Sequence, residues 1–125
     1  MTTDALHALH ARPSIEVGDL DAALAFWTDV AGFTVEVTMG EPPFFAMIRN
    51  GGAHLALARV DDPAPLSIAP VFVTLAALDV LVARIAAAGL ALESEPTVRP
   101  WGIRDLTVRC PGGGPIVAFG EEVAS

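Results

Sequence analysis

The sequence predicts an α+β protein built from two βαβββ modules in tandem, and three observations lead there. Apolar residues alternate with period two in several short segments and recur with period 3.6 in two longer ones. The order of these segments before residue 61 is repeated after residue 70. Between the two runs lies DDPAPLSIAP, whose Pro63, Pro65 and Pro70 mark a linker. The expected organisation is a single domain over residues 1–125, with modules 13–60 and 70–120 joined by linker 61–69.

SIEV, from Ser14 to Val17, reads as a first strand. Asp19 then offers a carboxylate to the free amides of a helix start. Leu20, Leu24, Trp27 and Ala31 form that helix's apolar stripe, and Gly32 ends it. FTVEVT alternates, which predicts a strand with Phe33, Val35 and Val37 on one face. Pro42 and Pro43 make a loop before the strand FFAMIR, and NGG (Asn50 to Gly52) signals a hairpin into HLALARV. In the second half, VFVTL is a strand, and Leu78, Leu81, Val82 and Ile85 give the second helical stripe, stopped by Gly89. LALESE, IRDLTVR and IVAF complete the repeat, the last two separated by the turn CPGGGP. A four-stranded sheet with one helix must bury a single face, so each module should curl and pack beside its twin, leaving a concave face for a ligand.

Composition narrows the function. Fifteen acidic against seven basic residues give a net charge of −8. Nucleic-acid affinity rests on lysine and arginine neutralising phosphates, so that partner is excluded; the acidity either attracts cations or simply keeps an apolar chain soluble, the reading that composition alone favours. Hydrophobic residues make up 53% of the chain, yet no apolar run reaches the length of a membrane span. MTTDALHALHARP lacks the basic and apolar regions of a secretory signal, and the single cysteine, Cys110, cannot form an internal disulfide, so a cytoplasmic protein is expected.

The segment VGDLDAALAFWTDVAGF (residues 17–33) resembles the first strand-to-helix segment of the vicinal oxygen chelate superfamily, which includes glyoxalase I, extradiol dioxygenases and the fosfomycin- and bleomycin-resistance proteins. Within it, FWTD…GF and the later PWGIRDLTVRCPGG are most similar to bleomycin-resistance proteins, which carry a tryptophan–glycine before a strand and a D-P-x-G-N turn after it. The resemblance implies a glyoxalase/bleomycin-resistance-like fold, with paired modules forming an incomplete barrel around a pocket. It also implies a homodimer binding a drug in crevices between subunits, with the N-terminal arm exchanged about a hinge at Pro13; the alternative for Pro13 is an ordinary edge-strand proline.

Metal-dependent relatives place a His or Glu on each of four inner strands. Carried across, those positions fall on Arg12, Ala56, Pro70 and Val117 or Ala118, none of which ligates a divalent ion. No metal or other cofactor is therefore expected. His7 and His10 have a helical metal-ligand spacing but no third ligand. His54 shares a strand face with Ala56, and is either a general base lining the cavity or a structural histidine. Cys110 stands where relatives carry the turn aspartate and is read as structural; Gly112 to Gly114 form a tight turn rather than a phosphate cradle.

In the bleomycin-resistance branch the tryptophan equivalent to Trp101 stacks on the drug. Here Pro100 extends the backbone and Gly102 removes bulk behind the ring, so Trp101 is expected to present its face at a strand entrance. The alternative is that it plugs the barrel end. Val37 aligns with one aromatic position of the family, and Phe44 and Phe45 align near a second. Phe72 faces either the cavity or the core, while Trp27 belongs to the core. Arg49, Arg104 and Arg109 lie on strands, and any that point inward would bind an anionic ligand and contradict a cationic-drug reading. The ligand-binding set is thus Trp101, Gly102, Phe44, Phe45, Val37, Phe72 and His54. The expected function is metal-free binding and sequestration of a flat cationic antibiotic or similar small molecule. The alternatives are a divergent lyase- or dioxygenase-type enzyme with a substituted active site and an interaction domain with a vestigial pocket.

Overall fold

The computed structural model describes residue 6, residues 8–63 and residues 69–123. His7, and residues 64–68 of the expected linker, lie outside the described residues. The element order is β1 (Ser14–Val17), α1 (Leu20–Ala25), a π-helical turn (Phe26–Val30), β2 (Thr34–Met39), β3 (Phe45–Asn50) and β4 (Ala53–Arg59). It continues with β5 (Phe72–Thr74), α2 (Leu78–Ala87), β6 (Leu92–Val98), β7 (Ile103–Arg109) and β8 (Ile116–Glu122). This is βαβββ twice.

The sheets repeat as well. One runs β1-β4-β3-β2 and the other β5-β8-β7-β6, with the first strand of each module parallel to its last. The helix faces of both sheets share one core. Ile15, Val17, Ile48, Leu55 and Leu57 from the first sheet and Leu106, Val108, Val117 and Phe119 from the second enclose Phe26 and Trp27, with Leu78, Leu81 and Ile85 of α2. Trp27 lies at its centre, with ring centroids 5.0 Å from Phe33, 5.4 Å from Phe26 and 5.7 Å from Phe119. A residue of the first module thus packs on the last strand of the second, as the predicted helical stripe requires.

Asp19 caps α1 by accepting from the Ala22 amide at 3.1 Å, an interaction worth about 1 kcal/mol. The helix does not stay α-helical. The Ala31 amide bonds back five residues to the Phe26 carbonyl, widening the last turn so that Phe26 and Trp27 both face the core. Leu24, placed in the buried stripe by strict 3.6 periodicity, ends only partly buried.

A second irregularity lies in β2. The register pairs Val35 with Ile48 but Val37 with Met47, leaving Glu36 as an extra residue. Val37 is therefore turned to the face opposite Val35 and does not share its side as simple alternation predicts. β6 runs three residues beyond LALESE to Val98, through Pro96; Pro96 falls between register shifts on an edge strand, where no ladder amide is lost.

Candidate functional site

Each sheet has a second, open face turned away from the helices. On the first sheet the register brings Val37, Met39, Phe45, Met47, Arg49, His54 and Ala56 to that side, while Ile48, Leu55 and Leu57 fill the core. On the second, Phe72 pairs with Ala118, which pairs with Thr107, so Phe72 belongs to the open face and not to the core. The Phe72 ring rests against Gly120, where a side chain would collide with it. Phe44 rests on Gly40 in the same manner. Each phenylalanine is braced on one side by a glycine and exposed on the other, at 50% for Phe44 and 49% for Phe72.

Trp101 is 71% exposed, at the tip of the β6–β7 hairpin. The tip is tied down by the Arg99 amide to the Ile103 carbonyl at 2.6 Å and by the Gly102 amide to the Arg99 carbonyl at 3.1 Å. Arg99 also clasps Asp105 with Nε at 3.1 Å and Nη2 at 3.0 Å. Gly102 takes a φ of +84°, which L side chains seldom adopt, so the tight reversal behind the indole depends on it. The ring is not a plug.

A cleft of about 590 Å³ opens between the modules. Its walls come from Ala11 and Pro13, from the β3–β4 hairpin through Leu55, and from β5. The fold brings His54 and Phe72 together here. Val37 and Phe45 share the open face of the first sheet with His54, whereas Phe44 and Trp101 sit on the equivalent hairpin tips of the two modules.

Around His54 is a polar cluster that sequence reasoning did not assemble. Arg12 Nη2 lies 3.4 Å from His54 Nδ1 and 3.4 Å from Glu36 Oε1. Arg49 Nε lies 3.7 Å from Glu36 Oε2, and the His10 ring stacks on His54 at 4.1 Å. Partial burial, then His10 and Arg12, lower the His54 pKa below the usual 6.5, against a smaller upward pull from Glu36. His54 is thus a neutral imidazole near neutral pH, with Nδ1 as acceptor. Alternation from the core-facing Val35 already puts Glu36 on this face; the cluster was missed because its members come from the arm, β2, β3 and β4, which only the sheet register brings together.

The chain's own residues do not fit the superfamily's metal. Arg12 is committed to Glu36 and His54, Ala56 is buried, and Pro70 precedes β5. Strand register settles the fourth position as Ala118, since Val117 is in the core. No three His, Cys, Asp or Glu side chains come together as a ligand set among the described residues. Cys110 is buried, and burial pushes its thiol up to about 11, with Trp27 acting weakly the other way. It is no nucleophile. Arg104 faces α2, bonding Asp79 and Glu121 at 3.0 Å, so it is not available to the open face, whereas Arg109 reaches Glu93 at 3.6 Å. In the triple-glycine turn the Gly112 carbonyl accepts from Gly18 and Asp19; it docks on α1 and cradles nothing.

No helix among the described residues is long and apolar enough to cross a membrane. Residues 7–115 match the family model described as Glyoxalase/Bleomycin resistance protein/Dioxygenase superfamily. Comparison with curated proteins found no match. Among solved structures, a putative glyoxalase family protein from Bacillus anthracis superposes with a TM-score of 0.75 at 13% identity, covering 97% of this chain and 99% of that one. The bleomycin-binding protein of Streptomyces verticillus, complexed with copper(II)-bleomycin, gives 0.69 at 22% identity, with 96% and 99% covered. A lactoylglutathione lyase from Agrobacterium tumefaciens gives 0.70 at 21% identity, with 92% and 95% covered.

Proposed function

The chain belongs to the glyoxalase/bleomycin resistance protein/dioxygenase superfamily, and from that premise we propose that it is a metal-independent binding protein that sequesters a flat, cationic small molecule. The observation that carries this reading is Trp101, an exposed indole on a hairpin tip held by the Arg99–Asp105 pair. A rigid aromatic face in an acidic chain favours planar cations, for about 0.5–2 kcal/mol per contact. Val37, Phe44, Phe45 and Phe72 extend the apolar surface, and the substituted ligand positions leave no residue to polarise a substrate through a metal. Phe44 and Trp101 belong to different sheets, so each ring offers one side; a homodimer supplies the opposite wall for each.

Titration with a bleomycin-type glycopeptide, followed by tryptophan fluorescence, tests the reading. Saturable quenching is expected, and Trp101→Ala should remove it, since Trp27 is fully buried. An unchanged binding curve in that variant would end the stacking proposal. The neutral His54 in the cleft favours a second reading, a divergent enzyme of the same superfamily with His54 as base. Under it the bound compound is converted, and His54→Gln stops the conversion; under the first, the compound is recovered unchanged.

A further inference from the structure

We propose that the open face of the first sheet carries an oxyanion subsite, formed by Arg12, Arg49 and His54, that receives the carboxylate or phosphate of a ligand whose body lies in the cleft against Phe72. The donors outnumber the acceptors. Two guanidiniums converge on one carboxylate, Glu36, which leaves an excess positive charge in a chain of net −8. The contacts are long, at 3.4 Å to Arg12 and 3.7 Å to Arg49, where charge-assisted bonds settle near 2.7–2.9 Å. Arg12 Nε is buried with no acceptor at all. A buried donor left unmade is costly, so the guanidinium as a whole is under-satisfied by Glu36 alone.

The surroundings give the ligand its shape. His54 lines the cleft and Arg12 stands directly against it, while Phe72 on the opposite wall is apolar and braced by Gly120. A planar body bearing one terminal oxyanion matches that pairing of charge and ring. Glu36 occupies the subsite as an internal competitor until such a ligand displaces it. The subsite's charged groups lie on the first module, apart from Trp101 on the second, and only Phe72 is common to this subsite and the stacking surface.

The probes are 2-naphthoate, 2-naphthyl phosphate and the neutral 2-naphthamide, each titrated against the full chain by calorimetry and by the imidazole proton shifts of His54. Naphthoate or naphthyl phosphate should bind at least about tenfold tighter than the amide, and the tighter of the two identifies the oxyanion class. Arg12→Gln and Arg49→Gln should each weaken that binding about tenfold, the loss of one charge-assisted bond. Glu36→Gln should tighten it severalfold, a gain that misfolding cannot imitate. Equal affinity for the amide, or no tightening in Glu36→Gln, overturns the proposal.

Discussion

Trp27 and Trp101 share a side chain and little else. Trp27 is fully buried among Phe26, Phe33 and Phe119, so Trp27→Ala should cost about 3–5 kcal/mol in urea unfolding. Trp101 projects from a turn whose hydrogen bonds are made by its neighbours' backbones, so Trp101→Ala should stay within about 0.5 kcal/mol while ligand binding falls. The contrast separates a packing residue from one proposed to bind ligand in a single denaturation series. His54 is testable by its protonation. Its pKa is lowered in the fold, so the unfolded chain takes up the proton first as pH falls through 6.5. Stability should therefore decline on acidification from that point and be indifferent to His54 above it. NMR titration should place the midpoint below 6.5, and Arg12→Gln, which removes one of the lowering charges, should move it up.

At the scale of elements, the turn after Cys110 acts as a clasp between modules. The Gly112 carbonyl accepts from Gly18 at 2.8 Å and Asp19 at 2.9 Å, and a side chain at residue 112 would collide with the Asp19 carbonyl. Gly112→Ala should thus cost about 2 kcal/mol or more, whereas Gly52→Ala, with nothing near it, should change little by the same unfolding assay. Most elements were legible beforehand. Alternation, helical stripes, the Asp19 cap and the hairpin glycines each arise from local backbone chemistry, which short windows of sequence contain. The π turn, the extra residue at Glu36 and the passage of β6 through Pro96 were not, because each is set by what lies across the sheet or beneath the helix. The site divides the same way. The exposure of Trp101 at a strand entrance was legible because Pro100 and Gly102 flank it; the Arg12, Glu36, Arg49 and His54 cluster was hidden, since its members come from four segments that only the sheet register joins.

At the scale of the molecule, the question is what covers the open faces. Val37, Met39, Phe44, Phe72 and Trp101 leave substantial apolar surface in contact with water, which a second copy would bury, consistent with the proposed homodimer. Two chains of net −8 repel one another, and that repulsion is screened over about 8–10 Å at 0.1–0.15 M salt. An apolar interface between them should hence tighten as salt rises, the reverse of an ion-paired one. Sedimentation of the full chain should show a dimer that strengthens between low and moderate salt, and Val37→Lys with Met39→Lys should leave monomers of normal stability. The arm provides the sharper test. It is held by the Pro13 carbonyl on the Ala56 amide at 2.8 Å, by Arg12 on Glu36 and His54, and by the stacked His10. Those bonds cross no covalent constraint other than the hinge at Pro13, and an exchanged arm would make the same ones on the partner. Removal of residues 1–12 should then weaken the dimer at least about tenfold, whereas a truncated chain that dimerises as before would show that the arm serves only its own sheet.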